Sequence, residues 1–163
     1  MESLHEFHEL FAASVGAAAA LVGLLFVAIS ISPERTFGEG AETSRRAQAE
    51  LAFTALGNVF FVSLAALLPR SALGAIAVFA LLSMIQIVRA GIAVRRARGA
   101  TYNWREFGFI SLGIYALEFW ITLRLMNGTE MNDGLVWVVF GLYGYALGAS
   151  WGLLGAVKPK TKT

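Results

Sequence analysis

Long apolar runs alternate with short polar segments along this 163-residue chain. A helix needs roughly 20 mostly apolar residues to cross a bilayer. The runs therefore predict an all-α membrane protein, a bundle of five transmembrane helices at residues 10–32, 51–68, 72–94, 107–126 and 135–157. The connectors between them are too short for a separate soluble domain, so residues 1–163 are expected to form a single transmembrane helical domain.

Helix-breaking and polar residues mark the connectors. The first and longest connector begins at Pro33. The second, Pro69-Arg70-Ser71, is so short that the spans on either side of it are expected to return antiparallel as a helical hairpin. Asn127-Gly128 and Asp133-Gly134 bracket a tight polar turn before the last span.

Basic residues concentrate in alternate connectors, and cytoplasmic connectors carry the excess of Lys and Arg. The side rich in basic residues holds Arg35, Arg45, Arg46, Arg95, Arg96, Arg98, Arg105, Lys158, Lys160 and Lys162. The opposite connectors hold Arg70. This alternation predicts an amino terminus outside and a carboxyl terminus inside. Binding of anionic lipid by the arginine cluster is the alternative interpretation.

Composition agrees with a membrane location, because 57% of the residues are hydrophobic and 15% are charged. Cysteine is absent, which excludes disulfides, thiolate metal sites and cysteine nucleophiles. The net charge is +2, but the basic residues flank apolar runs and form no separate basic face. A nucleic-acid partner is therefore not expected.

The fourth span carries polar residues, which a lipid-facing helix does not tolerate. Ser111, Tyr115, Glu118 and Thr122 are spaced by four, three and four residues, which places them on one face of a helix. At about 1.5 Å per residue, Glu118 lies roughly 12 Å below the outer boundary, close to the midplane. Without a partner, its carboxyl group is expected to be protonated there, because desolvation disfavours the charged form.

Two other spans offer polar partners at similar depth. Asn58 lies in the second span, and Ser83 and Gln86 lie three residues apart in the third. Gln86 lies about 6 Å from the level of Glu118 along the membrane normal. Arg89 is deeper and can extend its guanidinium towards the inner interface. We therefore expect Glu118 to contact Asn58 and Gln86 rather than Arg89.

Three interpretations of this polar set stay open: interhelical hydrogen bonding, an ion or proton path, and a buried lipid or small-ligand site. In the path hypothesis, Glu118 is the titratable group. The residues that line or support it are Asn58, Ser83, Gln86, Tyr115 and Thr122. Glu130 and Asp133 on the outer side would gather cations. Five spans leave little room for an aqueous path, so conduction is expected to need several copies around an axis.

The fifth span carries a strip of glycines along one helix face. Its members are Gly141, Gly144, Gly148, Gly152 and Gly155. Such a strip lets another backbone approach closely. One candidate partner is the small-residue face of the first span, formed by Ala13, Gly16, Ala17 and Ala20. The other candidate is a second copy of the chain or another membrane protein.

The amino-terminal segment combines acids with the two histidines of the chain. If this segment is helical, His5 and Glu9 share a face and are candidate ligands for a divalent cation. A pH sensor and a solvated acidic leader are the alternatives. No histidine falls within a predicted span, and neither the HExxH signature nor a phosphate-binding loop occurs. We expect no catalytic site and no cofactor.

The run AAAALVGLLFVAIS from Ala17 to Ser30 resembles the opening span of small uncharacterised bacterial multi-span membrane proteins. The resemblance covers one of the five predicted spans. It implies a bacterial inner (cytoplasmic) membrane, and it implies no activity and no site residues.

Two functions from different classes follow from these patterns. The first is an oligomeric ion- or proton-permeation protein that uses a carboxylate at the midplane. The second is a non-catalytic accessory or scaffolding subunit that docks through the glycine strip. In either case the partners are the lipid bilayer and a second copy or another membrane protein.

Overall fold

The computed structural model describes residues 7–31, 33–34, 43–69, 72–96, 104–128 and 132–155. These residues contain no strand and form the helices α1 (His8–Ile31), α2 (Thr43–Leu67), α3 (Leu73–Arg96), α4 (Trp104–Met126) and α5 (Asn132–Gly155). The prediction of five helices is confirmed. Each of the five is long and apolar enough to cross a membrane.

Helix α2 begins eight residues before the predicted boundary at Leu51. The added turns run from Thr43 to Glu50 and contain Arg, Ala, Gln and Glu, which are good helix formers. Arg46 Nε donates a hydrogen bond to Glu50 Oε1, one turn further along, at 3.1 Å. Hydropathy therefore locates the apolar part of this helix and not its first residue, because the helix extends beyond the apolar part into a polar segment.

Two tight turns lie at one end of the bundle, which we call the turn end. Between α2 and α3, the N–H of Ala72 donates to the C=O of Pro69 at 2.8 Å. After α4, Gly128 has a φ of +83°, a conformation that favours glycine. Its N–H donates to the C=O of Leu125 at 3.1 Å and so closes the helix.

Four of the helices form a ring, and α1 packs on its outside. Helix α2 packs against α3 and α5, and α4 closes the ring by packing against the same two helices. Helix α1 packs against α2. Within the apolar stretch of each helix, 56% of the residues of α2 are buried, but only 17% of those of α1. Helices α2 and α4 thus face each other across the diagonal of the ring.

The outer surface of the bundle is apolar. Leu24, Phe26, Ile31, Trp137 and Trp151 are each more than 60% exposed. Polar residues such as Ser63 and Glu118 are instead fully buried. A soluble protein has the opposite distribution, so this surface is compatible with an integral membrane protein whose helices contact lipid.

Candidate functional site

One face of α4 is polar and completely enclosed by the ring. Ser111, Tyr115, Glu118 and Thr122 are all 0% exposed. Their spacing places them on the same side of the helix, whereas Leu117 and Trp120 on other sides are about half exposed, at 47% and 49%. The polar stripe recognised in the sequence is therefore the face that α4 turns towards the interior.

Glu118 meets Asn58 across the diagonal of the ring. Asn58 Nδ2 donates a hydrogen bond to Glu118 Oε2 at 2.6 Å, and the two side chains are 3% and 0% exposed. Asn58 lies nine residues before the end of α2, and Glu118 lies eight residues before the end of α4. At about 1.5 Å per residue, both lie 12 to 14 Å from the turn end, near mid-length.

Three buried oxygen atoms at this centre have no hydrogen-bond partner within the described part of the chain: Asn58 Oδ1, Glu118 Oε1 and the Tyr115 hydroxyl. Tyr115 lies near Tyr145 of α5 and near Glu118. Buried polar groups in proteins are nearly always paired. A set of incompletely bonded oxygens at the centre of the ring therefore marks a candidate site for a proton or another small ligand.

Two further hydroxyl groups extend this polar face in both directions. Thr122 Oγ1 donates to the C=O of Glu118 at 2.8 Å, and Ser111 Oγ donates to the C=O of Gly108 at 3.0 Å. Thr122 lies about 6 Å from Glu118 towards the turn end, and Ser111 lies about 10 Å away in the opposite direction. Hydroxyl groups thus occur on both sides of the carboxyl group.

The two residues of α3 that were expected near Glu118 point in different directions. Ser83 is buried, but Gln86 is exposed on the outside of the ring, as is Arg89. Of the two contacts expected for Glu118, the one with Asn58 is present as a hydrogen bond, and the one with Gln86 is absent because Gln86 is exposed. Depth fixes the height of a residue in the membrane but not the rotation of its helix, which is why the expectation for Gln86 was wrong.

The described glycines of the strip on α5 do not pack against another described helix of the chain. A Cβ atom added at Gly141 or Gly144 would meet nothing within 4 Å, and Gly144 and Gly148 are exposed. The small-residue face of α1 is also exposed at Ala13, Gly16, Ala17 and Ala20. Packing between these two faces, one of the two candidates for the strip, is therefore not found at the described glycines. The surroundings of Gly152 and Gly155 lie outside the described residues.

The close approach between α4 and α5 occurs at Gly134 instead. A Cβ atom at this position would lie 3.1 Å from Cδ1 of Ile121 and 3.2 Å from its Cγ2. Sequence reasoning assigned Gly134 to a turn, but it lies in the first turn of α5. Its missing side chain is what lets the two helices meet near the turn end.

A second polar network joins α1 to the ring and was not foreseen from the sequence. Ser63 Oγ donates to Ser14 Oγ at 3.0 Å, and Ser14 Oγ donates to the Tyr143 hydroxyl at 3.1 Å. The Tyr143 hydroxyl in turn donates to the C=O of Ser14 at 2.8 Å. Single serines in apolar spans are common. Only the similar depth of Ser14 and Ser63 below the turn end could have suggested that they are in contact.

Only one of the two cation ligands proposed at the amino terminus belongs to the described residues. His5 lies outside the described residues, and Glu9 is exposed in the first turn of α1. No group of three metal-binding side chains occurs among the residues that the structure describes. Asp133 occupies the equivalent first turn of α5, and Glu130 is not described. An acid in a first turn is favoured by the helix dipole.

Arg124 is a basic residue that the connector pattern did not include. It is exposed near the turn end, with its guanidinium carbon 5.5 Å from the centre of the Trp120 ring. A cation–π contact at an exposed site contributes about 0.5–1 kcal/mol. Since Arg124 lies on the predicted outer side, the charge difference between the two sides is smaller than the connectors alone indicate.

Comparisons with protein-family models, with characterised proteins and with solved structures find no match to this chain. Its function must therefore be inferred from the geometry of its own residues.

Proposed function

We propose that the protein lets protons cross a membrane through the ring of a single chain, with Glu118 as the group that takes up and releases the proton. The observation that carries this proposal is the complete burial of the Glu118 carboxyl group at mid-length of the ring, with one oxygen bonded to Asn58 and the other unpartnered among the described residues. Ionisable groups enclosed among membrane-spanning helices commonly belong to proton relays.

The position of the polar residues favours a path within one chain over a pore shared between copies. A shared pore needs polar residues on the outer surface of each bundle. Glu118, Asn58, Tyr115 and Thr122 instead face the interior of their own ring, and Gln86 alone among the expected path residues lies outside. We therefore replace the oligomeric pore expected from the sequence with an intrachain path.

The same geometry favours a proton over a hydrated ion. A hydrated ion needs a continuous wide passage, but a proton can move between neighbouring hydroxyl and carboxyl groups. Thr122 lies on one side of Glu118 along α4, and Tyr115 and Ser111 lie on the other. In this proposal Asn58 positions the carboxyl group, buried Ser83 supports the interior, and Gln86 has no part in the path.

We further propose that the amino terminus faces the outside and that the membrane is the bacterial inner membrane. The excess of Arg and Lys in the first and third connectors and in the carboxyl-terminal tail supports this orientation. With it, the turn end and the exposed Asp133 face the outer side.

Proton flux into liposomes tests this proposal. Vesicles with purified protein and an internal pH-sensitive dye are given a potassium diffusion potential, and the rate of acidification is compared between the wild type and Glu118→Gln. We expect the substitution to abolish the protein-dependent flux, because an amide does not take up a proton at neutral pH. Gln86→Leu is the matched control and should leave the flux unchanged. Equal flux from the wild type and Glu118→Gln would refute the proposal.

A docking role for the glycine strip is the second candidate function. It is favoured by the open space at Gly141 and Gly144, which no described helix of the same chain fills. In this role the protein is an accessory or scaffolding subunit, and another helix packs on the strip. Gly144→Leu should then lower the native mass of the assembly in mild detergent, and an unchanged mass would count against docking at this surface.

A further inference from the structure

The two unpartnered side-chain oxygens of the Asn58–Glu118 pair belong one to each partner. Asn58 uses Nδ2 to donate to Glu118 Oε2, which leaves Asn58 Oδ1 and Glu118 Oε1 without a partner in the described structure. Within an amide or a carboxyl group the two terminal atoms lie side by side. An arrangement in which the amide and carboxyl planes are parallel about the existing 2.6 Å hydrogen bond places the other two atoms opposite each other.

The chemistry of these two atoms depends on one proton. An amide oxygen accepts hydrogen bonds, and so does a carboxylate oxygen, so the two cannot bond to each other when Glu118 is ionised. A protonated carboxyl group has one O–H donor. With the proton on Oε1, this donor and the amide oxygen form a second hydrogen bond and close a cyclic pair.

We propose that Asn58 and Glu118 form such a proton-binding site, in which the resting state carries the proton on Glu118 Oε1 and the O–H group donates to Asn58 Oδ1. The inference rests on the proposed function in that both use the Glu118 carboxyl group. It adds that the ligand in the resting state is a single proton and that Asn58 holds this proton in place.

The surroundings of Glu118 support a neutral state. Among the described residues, the titratable groups near Glu118 are two phenols, Tyr115 on its own helix and Tyr145 on α5. Asn58 of α2, which is hydrogen-bonded to Glu118, is neutral, and so is Ser83, a buried polar residue of α3. No arginine of the described residues forms an ion pair with Glu118. A buried carboxylate without a counter-charge is strongly destabilising, and protonation removes that cost.

The geometry also distinguishes a proton from a metal cation. A cation held by hard oxygen ligands needs about six of them at close range. The centre supplies three unpartnered oxygens among the described residues, those of Asn58, Tyr115 and Glu118. A single proton completes both bonds between the amide and the carboxyl group, whereas a sodium ion would remain poorly coordinated.

Infrared spectroscopy of the purified protein tests this inference without any flux. At neutral pH we expect the wild type to show the C=O stretching band of a protonated carboxyl group, and Glu118→Gln to lack it. In Asn58→Leu the band should remain but shift to higher wavenumber, because both hydrogen bonds are lost. Gln86→Leu is the control and should leave the band in place. A wild type without the band, or an unshifted band in Asn58→Leu, would overturn the inference.

Thermal unfolding supplies a second test that does not depend on the folding of a variant. At constant pH and ionic strength, exchanging choline chloride for sodium chloride should not change the unfolding midpoint of the wild type. A rise specific to sodium would show that the site takes a metal cation in place of the proton. If the infrared result holds but proton flux is absent, the protonated pair stands and the permeation proposal fails.

Discussion

Asn58 and Glu118 are 60 positions apart in the sequence and share a 2.6 Å hydrogen bond across the diagonal of the helical ring. Helices α2 and α4 each pack along α3 and α5, so this bond links the two helices that face each other through the interior. The polar contact therefore lies inside the bundle, where no lipid can satisfy either side chain.

The contribution of this bond to stability is open to a direct test. Asn58→Leu leaves the Glu118 carboxyl group buried without its hydrogen bond, which costs about 1–3 kcal/mol. We expect a correspondingly lower free energy of unfolding in detergent, measured by denaturant titration. Gln86→Leu changes an exposed amide on α3 and should stay within about 0.5 kcal/mol of the wild type. Equal stability of the two variants would show that the bond across the ring contributes nothing.

The hydrogen bonds of Tyr143 are expected to hold α1 on the ring. Tyr143→Phe removes the hydroxyl that both accepts from and donates to Ser14, at an expected cost of about 0.6–1.7 kcal/mol. Hydrogen exchange should become faster in α1, with little change in α3 and α4. Trp137→Phe, on an exposed site of the same helix, serves as the control. Unchanged protection of α1 from hydrogen exchange would mean that its packing on α2 is sufficient to hold it on the ring.

Two glycines of α5 should respond in opposite ways to the same substitution. Gly134→Leu forces a side chain against Ile121 and should destabilise the protein by about 1–3 kcal/mol, because the interface has no space for it. Gly144→Leu enters open space and should leave the stability of the single chain unchanged or raise it by up to about 1 kcal/mol through helix propensity. Thermal unfolding in detergent measures both. Similar losses at both positions would contradict the assigned packing of α5.

Much of the architecture could be predicted because hydrophobic length and charged connectors locate membrane spans directly. The face formed by Ser111, Tyr115, Glu118 and Thr122 followed from residue spacing, since the apolar remainder of α4 leaves only one side for polar groups. The depth of Asn58 also indicated its nearness to Glu118.

The contacts between helices depend on how each helix is rotated and on which helices are neighbours. Apolar spans specify neither of these. Helix α3 is apolar on most sides, so the sequence did not show that Gln86 faces outwards. The glycine strip was recognised as a surface for close packing, but nothing in the sequence told whether Gly144 faces a helix of the same chain. The contact between Ser14 and Tyr143 joins the first helix to the last, which no local pattern indicates.

The central claim is that protons pass through the ring of one chain, and the dependence of flux on protein density tests it most directly. Liposomes are prepared over a series of protein-to-lipid ratios, down to less than one chain per vesicle, and the initial proton flux is divided by the amount of incorporated protein. A path inside one chain requires a flux per chain that stays constant on dilution and is absent in Glu118→Gln. A flux per chain that falls towards zero on dilution would contradict the account, because it would require several copies for each path.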